Sequence, residues 1–166
     1  RVMKKQRLIV LISTILIVIA DQATKLITLA LSGGMETNEC FFEIKGLIGF
    51  RYLENKGAAF GMFADHRWIF MTLTSIALIV LICAIMLKKL NSNLLVWSFS
   101  MIIGGGIGNM IDRVFRGYVV DFIDVQFVDF YVFNIADCFV VIGCGLLILY
   151  LVADILKDRK KEKVNE

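Results

Sequence analysis

Four long apolar blocks dominate this 166-residue sequence and decide what it can fold into. The first covers residues 8–31 and is interrupted by Asp21, Gln22 and Lys25. The second covers 68–87 without a charge, the third 94–111, and the fourth 135–152 with Asp137 at its mouth. A bilayer core about 30 Å thick takes about 20 helical residues, and each block with its flanks has that length. Hydrophobic residues make up 58% of the chain, more than a soluble domain of this size can bury. The sequence therefore predicts an all-α integral membrane protein, a single membrane domain over 1–166. Its four transmembrane helices are expected over 8–31, 68–87, 94–113 and 135–155. A cleavable signal peptide is the alternative reading of the first block. Val18-Ile19-Ala20 lacks the small residue wanted three positions before a cut, and the apolar run resumes after Lys25.

Eleven of the eighteen Lys and Arg fall in the N-terminal residues 1–7, the 88–93 connection and the tail 157–166. Four spans put those three segments on one side, and the positive-inside rule makes that side, with both termini, cytoplasmic. The connections 32–67 and 114–134 are then extracytoplasmic. Strand-like runs at 41–44 and 48–53, punctuated by Gly33, Gly34, Gly46 and Gly57, predict a small β-rich subdomain in the first of them. It is expected to lie on the outer membrane surface. A net charge of +3 gives no reason to expect a nucleic-acid partner. Cys40, Cys83, Cys138 and Cys144 form no CxxC pair, and the last three are expected to act as small buried hydrophobes. With one histidine, His66, and no HExxH, neither a zinc site nor another metal or cofactor is expected.

Polar residues inside the spans carry the functional information, because a charge near mid-bilayer costs about 2.5–3.5 kcal/mol. Asp21 and Lys25 stand at i, i+4 and can pair on one helix face. In the third span Gly105, Gly108, Asn109 and Asp112 follow i, i+3, i+4, i+7, one continuous face, with Arg113 beside it. The glycines allow close backbone approach; the bland reading is helix packing with an interfacial Asp–Arg pair, which leaves Asn109 unexplained. Asp121 and Asp137 flank the last extracytoplasmic connection and converge if it folds back; Asp124 and Asp129 read as loop acids. Two carboxylates within about 3 Å share a proton, so one can deprotonate water while the other protonates a carbonyl oxygen. That is aspartic peptidase chemistry, one possibility on spacing alone.

Five ordered segments together resemble a known family. They are Asp21-Gln22-x-x-Lys25, Asn55-x-Gly57-Ala58-Ala59-Phe60-Gly61, Gly108-Asn109-x-x-Asp112-Arg113, Val120-Asp121-Phe122 and Phe133-Asn134-x-Ala136-Asp137. Each is weak alone, but in this order they resemble the motifs of bacterial lipoprotein signal peptidase, signal peptidase II. The resemblance implies an intramembrane aspartic endopeptidase of the bacterial cell membrane, active at the extracytoplasmic face. It would cut diacylglyceryl-modified prolipoproteins just before the lipidated cysteine. It implies Asp121 and Asp137 as the catalytic pair, with Asn55, Gly57, Asn109, Arg113 and Asn134 holding substrate and ordering the pair. Asp21, Lys25, Gly108 and Asp112 would support them. Membrane lipids are implied as surroundings, the cyclic peptide globomycin as inhibitor, and a monomer is expected. Tyr131 and Cys138 depart from the family, which often has Pro and Ser there.

Two other classes fit parts of the sequence. A small proton-coupled transporter would use the carboxylates as a relay through the membrane, yet they gather at the outer ends of the spans. A non-catalytic assembly protein would use only the glycine face and would tolerate neutral residues at 121 and 137.

Overall fold

The computed structural model describes residues 2–33, 36–57, 67–87, 90 and 92–165. The 58–61 part of the second motif, His66 and the basic 88–89 pair lie outside the described residues. The elements are α1 (Val2–Ser32), β1 (Cys40–Ile44), β2 (Ile48–Asn55), α2 (Arg67–Leu87), α3 (Asn93–Phe115), β3 (Val119–Val125) and α4 (Ile135–Asn165). Each of the four helices is long and apolar enough to cross a bilayer. With no proline in the sequence, nothing of that kind breaks them. Local chemistry sets the limits of α3. The Ser92 hydroxyl accepts from the Leu94 amide at its start. At its end Gly117 takes φ +85°, and the Arg116 and Gly117 amides both donate to the Asp112 carbonyl.

Helix α3 is the hub, parallel to α1 and antiparallel to α4. Small residues bring the backbones together, as membrane helices do where apolar burial alone gives no driving force. A Cβ on Gly105 would stand 2.4 Å from the Ala136 carbonyl oxygen of α4. Further along, Ser98 Oγ donates to the Gly143 carbonyl across the same interface at 2.8 Å. Gly105→Ala is expected to cost about 1–3 kcal/mol of stability, because backbone rather than a side-chain tip must move. The check is a thermal unfolding scan in detergent, with Gly145→Ala, where a Cβ meets open space, as the silent control.

The apolar core, which includes Val10, Ile85, Leu95, Val96, Phe99 and Ile103, fills the end of the bundle away from the sheet. There the Arg7 guanidinium caps α2, donating to the Ile85 and Met86 carbonyls at 3.2 and 2.7 Å. Most of α2 and much of α4 is exposed apolar surface, the side that faces lipid. Cys83 and Cys144 lie on that surface and Cys138 is half-buried, so the expectation that all three are buried is corrected. Lipid tails accept a thiol as readily as a core does, so the apolar context does not fix the direction.

The sheet has order β1-β2-β3, both pairs antiparallel. Strands β1 and β2 correspond to the strand-like runs expected at 41–44 and 48–53, and they pair as a hairpin. The third strand departs from expectation: the 114–134 segment, read as a loop, contributes β3 alongside β2. The register sets Leu53 opposite Asp121 and Asn55 opposite Val119. This pairing carries Asp121 to the bundle end where α3 finishes and α4 begins.

Candidate active site

The site is built on a buried cation. Lys25 Nζ lies 2.9 Å from Asp21 Oδ2, 3.0 Å from Asp112 Oδ2 and 2.9 Å from Asn109 Oδ1. Its three N–H bonds thus each have an acceptor, and the Lys25, Asp21 and Asp112 side chains are all 0% exposed. Satisfaction this complete is what allows an ion pair to sit in a low-dielectric bundle. The i, i+4 pair forms, and α3 completes it. Asp21 Oδ1 accepts the Ala136 amide in the first turn of α4 at 3.0 Å, negative charge against a positive helix end. Gly108 is required here because a Cβ would stand 2.5 Å from Asp21 Oδ2.

The start of α4 is a reciprocal cap. Asn134 Oδ1 accepts the Asp137 amide at 3.1 Å, while Asp137 Oδ2 accepts the Asn134 amide at 3.2 Å. The Asn134 side-chain nitrogen donates to Asp121 Oδ1 at 2.6 Å and to Asn109 Oδ1 at 3.1 Å. Asn109 in turn donates to Asp137 Oδ1 at 2.7 Å, and Asn55, at the end of β2, donates to Asp121 Oδ2 at 2.7 Å. Gly57 is buried beside it, its amide donating to Asn55 Oδ1 at 3.0 Å. Every carboxylate oxygen of Asp121 and Asp137 therefore receives a neutral N–H donor. Arg113 lies near both carboxylates, its guanidinium 5.7 Å from the centre of the Phe70 ring.

Four carboxylates here, Asp21, Asp112, Asp121 and Asp137, face three cations, Lys25, Arg113 and Arg116. Fully ionised, the cluster carries one net negative charge, and a single retained proton neutralises it. Asp121, 1% exposed, is where the balance shows. Burial, then the neighbouring Asp137 charge, pushes its carboxyl up to about 7. Among the described residues no three His, Cys, Asp or Glu side chains are grouped to hold a metal ion.

Asp121 and Asp137 open onto a cavity of about 550 Å³. Asn55, Gly57 and Arg113 line its polar end; Phe130, Tyr131 and the α4 residues Val140, Val141 and Ile142 line its apolar end. Val141 is 70% exposed on the bundle surface, so the cavity reaches the lipid-facing side of α4. Tyr131 stacks on Phe130 at 4.2 Å, and Phe130 meets Phe133 edge-on at 5.8 Å. Ring packing thus braces residues 130–133. Cys138 also lines the cavity.

All eleven site residues expected from the sequence lie in this one cluster. Asp124 does not: it pairs with Arg51 at 2.5 Å on the sheet, and Asp129 is exposed. Sequence reasoning missed two members. Gln22 donates to Asp21, Asp112 and the Gly108 carbonyl, and Arg116 bonds Asp112. Gln22 stood inside a quoted motif; Arg116 lies one turn beyond Asp112, a spacing that was the available signal.

Comparison with known proteins gives matches over most of the chain. The family profile described as Signal peptidase (SPase) II matches residues 13–153. The chain is 39% identical over 154 residues to the lipoprotein signal peptidase of Clostridium tetani, covering 90% of this chain and 97% of that one. It is 38% identical over 142 residues to that of Halothermothrix orenii, with 86% and 94% covered. A bacterial membrane enzyme solved by the in meso method at 2.3 Å superposes with TM-score 0.79 at 33% identity, covering 88% of each chain. Another, at 1.9 Å, gives 0.76 at 33% identity, with 87% and 93% covered.

Proposed function

Because the chain belongs to the signal peptidase II family, aspartic peptidases that remove signal peptides from prolipoproteins, we propose that Asp121 and Asp137 are its catalytic pair. The observation that carries this reading is Asn134, one residue bonded to both carboxylates at the mouth of a cavity open to the lipid-facing surface. In the working state one carboxyl is ionised and the other protonated. The ionised one takes a proton from a water as its oxygen attacks the scissile carbonyl carbon, and the protonated one donates to the carbonyl oxygen. The tetrahedral intermediate collapses as a proton passes to the leaving nitrogen. The C–N bond breaks, leaving a carboxylate on the signal peptide and an amino group on the lipidated cysteine.

Substrate chemistry fits the two ends of the cavity. Arg113 and Asn55 present donors to a peptide backbone beside Gly57, and the apolar end suits a diacylglyceryl group whose chains stay in the bilayer. The basic termini support a site at the extracytoplasmic face of the bacterial membrane. A single copy supplies every residue invoked, and globomycin, a cyclic peptide, would compete for the same cavity.

The pH dependence tests the shared proton. The carboxyl proton held at about 7 is present below that pH and lost above it. Cleavage of diacylglyceryl-modified prolipoprotein in detergent is therefore expected to fall as pH rises through about 7. A second fall is expected toward acid, where both carboxyls protonate. A rate that climbs steadily from pH 6 to pH 9 would refute the shared-proton mechanism.

A further inference from the structure

Arg116 belongs to none of the five motifs, yet it contacts the buried charge cluster directly. It caps α3, bonds Asp112 Oδ1 and donates to Gln22 Oε1 at 3.3 Å. The other oxygen of Asp112 accepts Lys25 Nζ at 3.0 Å and the Val120 amide at 3.1 Å. From Asp112 two short routes reach the reacting groups. Val120 precedes Asp121 on β3, and Lys25 bonds Asn109, which donates to Asp137.

We propose that Arg116 is a positioning residue for the peptidase, the cation that neutralises Asp112 and so sets the pH at which Asp121 and Asp137 share their proton. The inference rests on the catalytic-pair reading above. The charge count supports it, since without Arg116 the cluster keeps a net negative charge even with one proton bound. Among the described residues the charged and titratable groups near the pair are few. They are Asp21 and Lys25 from α1, Asp112 and Arg113 from α3, and Cys138 from α4. From β2 comes only the neutral Asn55 amide; Glu54 on that strand accepts from Tyr52 at 2.9 Å, and Asp124 is held by Arg51. Arg116 is 21% exposed at its side chain while Asp112 is 0% exposed, so the cation enters from the solvent edge and its removal leaves a fully buried acid.

The experiment compares pH–rate profiles of the full chain, Arg116→Gln and Arg116→Lys, with diacylglyceryl-modified prolipoprotein in detergent. Removing a unit charge at roughly 10 Å in a medium of effective dielectric about 20 moves a carboxyl by about one pH unit. The descending limb of Arg116→Gln is expected to move to higher pH by about that amount, and Arg116→Lys to keep the limb where it stands in the unaltered chain. If Arg116→Gln does not fold, Arg116→Met replaces it. It too lacks the cation at every pH, so its limb shifts the same way. A rate lowered evenly at every pH, with the limb unmoved, would mean a purely structural role and overturn the proposal while leaving the catalytic pair standing. An unaltered chain that cleaves nothing overturns the catalytic-pair reading, and this inference with it.

Discussion

Asp121→Asn and Asp137→Asn are each expected to lower the cleavage rate by about 10³-fold or more, because each removes a proton carrier from the reacting geometry. The shapes are nearly conserved, but the chemistry of the surroundings is not. Asp121 accepts from both Asn55 and Asn134, and an amide at 121 must turn its own NH₂ toward one of those donors. The fold therefore loses about 1–2 kcal/mol while the reaction loses far more. Thermal unfolding in detergent separates the two effects. The double variant is expected to be no slower than either single one, since the carboxyls act as a unit. A residual rate in Asp137→Asn within about tenfold of the unaltered chain would contradict the assignment.

Lys25→Met is expected to have the largest effect on stability, about 3–5 kcal/mol, because it takes the only cation from Asp21 and leaves Asp112 with Arg116 alone, where neither acid has any exposure. The methylenes are replaced almost atom for atom, so a cavity is not the cause. Arg51→Met is the contrast. Its partner Asp124 is 12% exposed and Arg51 itself 26% exposed, so breaking that pair is expected to cost under about 1 kcal/mol. The combination Asp21→Asn, Lys25→Met, Asp112→Asn removes the three fully buried charges together and is expected to recover much of the loss in melting temperature. Equal destabilisation by Lys25→Met and Arg51→Met would show that burial of the pair carries no special weight.

The four helices were legible because hydrocarbon imposes length and composition on anything that crosses it. For the same reason Asp21, Lys25 and Asp112 stood out: a charge in an apolar block needs a partner. The hairpin was legible from its glycines, Gly46 above all, which takes φ +72° in the turn. Strand β3 was not. In Val119-Val120-Asp121-Phe122-Ile123-Asp124-Val125 the acids stand three apart, which matches no alternation of period two. Asp121 turns to Asn55 and Asn134 while Asp124 turns to Arg51. The convergence of Asp121 and Asp137 depends on a helix cap, Asn134, that looks like any Asn before an apolar run. Arg116 was not singled out, since it lies outside the five motifs and its partner Asp112 stands one turn back inside α3. The lateral opening beside Val141 had no sequence signal, since a residue facing lipid and one lining a cavity wall are equally apolar.

The most direct measurement is mass spectrometry of the products when the purified chain meets a diacylglyceryl-modified prolipoprotein in detergent at pH 6.5. The expected result is one cut, giving a mature fragment whose first residue is the lipidated cysteine and an intact signal peptide. The same prolipoprotein without its lipid is expected to remain whole. A cut elsewhere in the signal peptide, equal cleavage of the unlipidated precursor, or an uncut substrate would contradict the account.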